Sequence, residues 1–132
     1  MSPEDVELVE RFNDSVARGD LEGAVRCFRP EARFDWTESR SPFRDVYDGH
    51  EGLRRFLQES GETWEGFTPQ IQEVIDCGED RILTPTIVSG RARDGIELQA
   101  RGTMLWTVRG GQILEAKLFQ TTADALQSLQ SA

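Results

Sequence analysis

The sequence predicts an α+β domain in which a curved antiparallel sheet forms a cone and helices from the first half of the chain close its mouth around a pocket. Three observations carry this prediction. Segments with helical spacing and recognisable end signals fill most of the chain up to Ser60. Four strand-like runs follow, FTPQIQEVIDCG, RILTPTIVSGRAR, IELQARGTMLWTVR and QILEAKLFQ, separated by the short turns CGED, RDG and RGG. Connections this short make neighbours antiparallel, and helices segregated from an antiparallel sheet define the α+β class. The run Ile96 to Arg109 is also too long to lie flat, and Gly102 marks a place for a bulge or kink.

Taken in order, the first helix spans residues 3–18. Ser2 caps it, Pro3 suits its first position, and Glu4 and Asp5 suit the positive end of its dipole. Val6, Val9, Phe12 and Val16 share one face, and Gly19 ends the helix because glycine takes a left-handed cap cheaply. Asp20 caps a second helix over 20–28, with Leu21, Ala24, Val25 and Phe28 as its buried stripe and Pro30 as its stop. EARFDW follows as a strand with Phe34 and Trp36 on one face and Asp35 on the other. Thr37 to Asp48, with Pro42, reads as a loop, and a third helix over 49–60 carries Leu53, Phe56 and Leu57. After the four strands, Ala123 to Leu129 forms a short amphipathic helix.

Composition narrows the function. At 132 residues the chain fits one domain, 1–132, around one core. The net charge of −9 excludes the concentrated Lys and Arg that nucleic-acid binding needs. No apolar run is long enough for a membrane span. The N-terminal MSPEDVELVERF lacks the basic and apolar regions of a secretory signal, so a cytoplasmic location with reduced Cys27 and Cys77 is expected. One histidine and two scattered cysteines do not make a metal site. No phosphate-cradling loop and no nucleophile elbow is present, so no cofactor is expected.

Three segments, RGDLEGAVRCFRPEARFDW, YDGHEGLRRFLQE and MLWTVRGGQILEAKLF, together with their spacing, resemble the SnoaL-like branch of the nuclear-transport-factor-2-like superfamily. That superfamily has the cone-shaped, cystatin-like α+β fold that ketosteroid isomerases and limonene epoxide hydrolases share. The resemblance implies a deep small-molecule pocket between the sheet and the first and third helices, and a homodimer through the outer sheet face. It does not imply one activity, because the fold hosts many.

The resemblance allows a test for chemistry. Ketosteroid isomerases use a tyrosine, an aspartate base and a second acid. Matched on GD, EARFDW and LWTVRGG, those positions fall on Phe12, Trp36 and Met104. None of these side chains can donate to an oxyanion and abstract a carbon-bound proton in that way. Epoxide hydrolases of this fold use a carboxylate on the last strand. AKLFQTT has none, and Glu115 lies nearer the hairpin. SnoaL-type cyclases use an aspartate and a histidine. The one histidine, His50, starts the third helix, where a solvated helix-end role competes with catalysis.

The remaining candidates are binding residues. Phe12, Val16, Trp36, Phe56, Trp64, Met104 and Phe119 are expected at the cavity, and Tyr47 fits either its mouth or a packing role with a wet hydroxyl. Two placements are open for Arg101 and Lys117. Inward, a cation would favour an anionic or carbonyl-bearing ligand; outward, the two would pair with Glu97 or Glu115. Trp106 fits either the cavity or the core near the hairpin. Cys27 fits a small buried hydrophobe. Two functional classes follow: a pocket protein binding a small, mostly apolar molecule, whether or not it is an enzyme, and a dimeric module with a filled interior.

Overall fold

A computed structural model of the chain describes residues 2–40 and 43–130. Pro42, part of the predicted loop, lies outside the described residues. Helix α1 (Pro3–Arg18) begins on a capping box. Ser2 Oγ accepts from the Asp5 amide at 3.3 Å, and the Asp5 carboxylate accepts from the Ser2 amide at 3.4 Å. Leu8, Val9, Phe12 and Ser15 form its buried stripe.

Helix α2 (Leu21–Val25) is shorter than the spacing predicts. Asp20 caps it through Gly23, at 3.0 Å. The Ile113 amide then donates to the Cys27 carbonyl at 2.9 Å, and this pairing draws the backbone into β1 (Phe28–Asp35) before Pro30 is reached. Pro30 therefore sits inside a strand. It falls in the register shift between Phe28 and Arg33, where its missing N–H breaks no ladder.

The predicted loop contains a short strand, β2 (Val46–Asp48), which pairs antiparallel with β1 through Phe34 and Tyr47. Helix α3 (Gly49–Thr63) runs one turn beyond Ser60 and passes directly into β3 (Trp64–Ile71). The single strand expected over 67–78 is thus two pieces, β3 and β4 (Ile75–Asp76). The long strands β5 (Arg81–Ala92), β6 (Glu97–Arg109) and β7 (Gln112–Phe119) follow, and α4 (Thr122–Gln130) ends the described chain. Gly110 and Gly111, at φ 61° and 76°, make the two-residue turn from β6 to β7 that needs positive φ at both positions.

The seven strands form one curved, unclosed sheet in the order β2-β1-β7-β6-β5-β3, with β4 also on β5. All pairs are antiparallel except β1 with β7, which run parallel. Helix α3 packs over β1, β2 and β3, and α1 over β3, β6 and β7, so both cover the concave face. The main core fills that face with Val9, Phe12, Phe28, Leu53, Trp106 and Ile113 among its members. A smaller cluster of Leu83, Phe119 and Ala125 lies on the outer face beneath α4.

Candidate functional site

The concave face does not fill completely. A cavity of about 590 Å³ remains between α1, α3, the Trp36–Asp45 loop and strands β3, β5, β6 and β7. Strand alternation builds its wall. Thr86, Val88 and Gly90 face it from β5, and Gly102, Met104 and Trp106 from β6. At Gly102 the neighbouring strand's side chain comes close. A Cβ there would lie 2.9 Å from Leu118 Cδ1, which leans across it from β7.

The cavity is walled largely by aromatic rings. Trp36 stacks on Phe34 with centroids 5.8 Å apart, and Phe56 meets both, at 4.7 Å from Trp36 and 4.9 Å from Phe34. Phe12 stands edge-on to Trp106 at 5.6 Å. Trp106 donates its indole N–H to Thr84 Oγ1 at 2.8 Å, and both residues are fully buried. The Trp36 indole N–H is also buried, yet it has no hydrogen-bond partner among the described residues.

Of the residues singled out from sequence, Phe12, Val16, Trp36, Phe56, Trp64 and Met104 stand together on the cavity wall. Arg101 stands at the rim and is exposed. It alternates with Gly102, so its side chain starts on the opposite face of β6. Phe119 differs from expectation, and Tyr47 and Lys117 each take the placement away from the cavity among the two open to them. Tyr47 is buried behind Phe56, centroids 5.1 Å apart, with the Arg55 guanidinium 4.6 Å from its own ring; it does not reach the mouth. Burial pushes its hydroxyl pKa up. Lys117 and Phe119 flank Leu118, which takes the cavity side, so both belong to the outer face. Lys117 Nζ lies 3.8 Å from the Asp35 carboxylate, rather than beside Glu115. Glu97 likewise pairs with Arg91, at 3.0 Å, and not with Arg101.

Asp35 is turned outward, accepting from the Thr37 amide at 3.0 Å and the Thr37 hydroxyl at 2.7 Å. His50 is not simply solvated. Its Nε2 lies 2.7 Å from the Phe28 carbonyl, so the ring donates there and ties the start of α3 to β1. Cys27 is buried, and burial pushes its thiol pKa up, which keeps it protonated. Among the described residues, no group of three or more His, Cys, Asp or Glu is placed to hold a metal ion.

Sequence reading missed Ser60, Thr86, Leu118 and Gln120, all on the wall. The signal for Ser60 was available, since it continues the Leu53, Phe56, Leu57 stripe at helical spacing as a polar residue on an apolar face. Ser60 Oγ donates to the Phe56 carbonyl and Thr86 Oγ1 to the Thr84 carbonyl, each at 2.8 Å. Gln120 Nε2 donates to the Glu38 carbonyl and holds the mouth loop to β7. No Asp, Glu, His, Lys, Tyr or Cys side chain is found among the described residues of the wall. The arrangement offers apolar contact and a few hydrogen bonds, with no group suited to general acid–base work.

Residues 9–116 match the family model of the SnoaL-like domain, and the chain belongs to that family. It is similar, at 25% identity over 94% of each chain, to the uncharacterized protein Rv0034 of Mycobacterium tuberculosis. Among solved structures it is similar to TerC co-crystallized with polyporic acid (TM-score 0.78, 18% identity, 98% of this chain and 99% of that one). It is also similar to an NTF2-like protein of Burkholderia pseudomallei (TM-score 0.79, 19% identity, 96% and 97%). A third is RV0760c of Mycobacterium tuberculosis in complex with estradiol-17beta-hemisuccinate (TM-score 0.78, 15% identity, 92% and 97%). At these identities the likeness establishes the NTF2-like fold.

Proposed function

We propose that the protein binds a small, flat, mostly apolar molecule in the cavity and has no isomerase activity of the ketosteroid kind. The observation that carries this reading is the wall itself: aromatic rings around about 590 Å³, without a titratable group that could serve as acid or base among its described residues. A volume of this size suits a ligand of a few fused rings, and it speaks against an interior filled by the protein's own side chains. Phe12, Trp36 and Met104 put carbon where isomerase chemistry needs oxygen. That structural neighbours were crystallised with polyporic acid and an estradiol ester is consistent with this reading.

The test has two arms. A thermal-shift screen of apolar metabolites should find stabilising ligands, and an unsaturated ketosteroid should not be isomerised. Absence of any stabilising ligand overturns the binding claim, and substantial isomerisation overturns the second. Assembly as a homodimer through the outer sheet face belongs to the same proposal. β7 itself offers little to such an interface, because Ile113 and Ala116 face the core and Phe119 lies under α4. What supports it is that Pro85, Ile87 and Leu105 remain half-buried on the outer face. Light scattering should give about twice the 14.9 kDa of one chain; the single mass would refute the dimer. A cytoplasmic location is proposed on the two free thiols.

A further inference from the structure

We infer that the ligand is a neutral ring compound carrying a hydrogen-bond donor, such as a phenol, and that Ser60 and Thr86 accept from it. This rests on the proposed binding role of the cavity. Ser60 and Thr86 stand on its wall from α3 and β5, and both are buried, at 6% and 8% exposure. A hydroxyl has one hydrogen and two lone pairs. Each of these has committed its hydrogen to a carbonyl of its own element, Phe56 and Thr84, at 2.8 Å. What remains on each oxygen is acceptor capacity. Gln120 is different: one N–H of its amide goes to the Glu38 carbonyl, which leaves it both a second N–H and an acceptor oxygen, so it does not select between donor and acceptor ligands.

The donors of the wall are placed differently. Arg40 and Arg101 are exposed at the rim, and Asn13 is half-buried on α1. The Trp36 N–H is buried, with almost no surface of its own. A ligand with only acceptor atoms would leave the buried hydroxyl oxygens without a hydrogen. An anion would place its charge against their lone pairs. A hydroxyl or N–H on the ligand satisfies them.

The test uses 2-naphthol, 2-methoxynaphthalene and 2-naphthalenesulfonate, titrated calorimetrically into the full chain and into Ser60→Ala and Thr86→Val. The first two share a ring system and differ in the donor; the cavity is roomy enough for the extra methyl. 2-Naphthol should bind more tightly than the ether by about 2- to 12-fold for each hydrogen bond formed. One of the two substitutions, or both together, should abolish that preference, so that naphthol and ether bind alike. Both variants should fold, since each hydroxyl donates only within its own element. Equal binding of naphthol and ether, or a preference that survives both substitutions, overturns the inference and leaves the apolar cavity intact. Tightest binding of the sulfonate also overturns it, in favour of recognition by the arginines at the rim. Failure of all three compounds to bind overturns the binding role itself.

Discussion

Replacing Thr84 by valine isolates one buried hydrogen bond under the cavity floor. Thr84 and Trp106 each retain 1% of their surface exposed, and the Trp106 N–H donates to Thr84 Oγ1 at 2.8 Å. Valine has nearly the shape of threonine, so the substitution opens no void. A buried donor left without its partner costs about 1–3 kcal/mol. In a domain of 132 residues that lowers Tm by about 4–12 °C. Urea unfolding followed by circular dichroism measures the loss. The same substitution should then be made in a Trp106→Phe background, where no indole N–H remains to be orphaned. There the Thr84→Val step should cost almost nothing or stabilise. An equal loss in both backgrounds, or an unchanged Tm in the first, would refute the assignment of the stability to this bond.

Three further outcomes are expected. Gly102→Ala should push Leu118 into the cavity and weaken the binding of 2-methoxynaphthalene, while stability changes by less than about 1 kcal/mol, because glycine in a strand is itself costly; titration and urea unfolding separate the two effects. His50→Ala should lose about 0.5–1.5 kcal/mol with the bond to the Phe28 carbonyl, read by denaturation, and leave ligand affinity alone. Glu22 is held below its ordinary 4.5 by its two 3.0 Å hydrogen bonds to Arg54. Because the folded value is the lower one, its contribution is complete above the ordinary value and is lost as pH falls through the depressed one. The difference in Tm between the natural chain and Glu22→Gln should therefore shrink below pH 4.5 and stay constant above it.

The parts of the fold legible in the sequence are those with local causes. Ser2, Pro3 and Gly19 mark α1 because capping is decided within a turn of the helix. The ends of α2 and β1 were misread because Pro30 is a strong local stop, while the bond from the Ile113 amide to the Cys27 carbonyl that overrides it comes from a distant segment. β2 has three residues, too few for a period, and is a strand only because Phe34 lies opposite Tyr47. Alternation also carries no information on the direction of a neighbouring strand, so the parallel β1–β7 pair was not foreseeable. In the cavity, the aromatic positions on helices and central strands were recoverable from spacing. Phe119 was not, because α4 buries it on the outer face of β7 while the core buries Ile113 and Ala116 on the inner face, and apolar residues on both faces give no phase.

The parallel pairing of β1 with β7 has a consequence for how the molecule is made. Phe28 must meet Ile113, so the strand on which α3 rests gains its inner neighbour only after about 85 further residues have been made. During synthesis at about 5–20 residues per second, the first helices and β1 wait several seconds beside the ribosome with an unpaired edge and bare aromatic faces. The β5–β6 hairpin closes over a short separation and can form before β7 exists. A nascent chain arrested before β7 should expose Phe28 and Phe34 to chaperones, and one arrested after it should not.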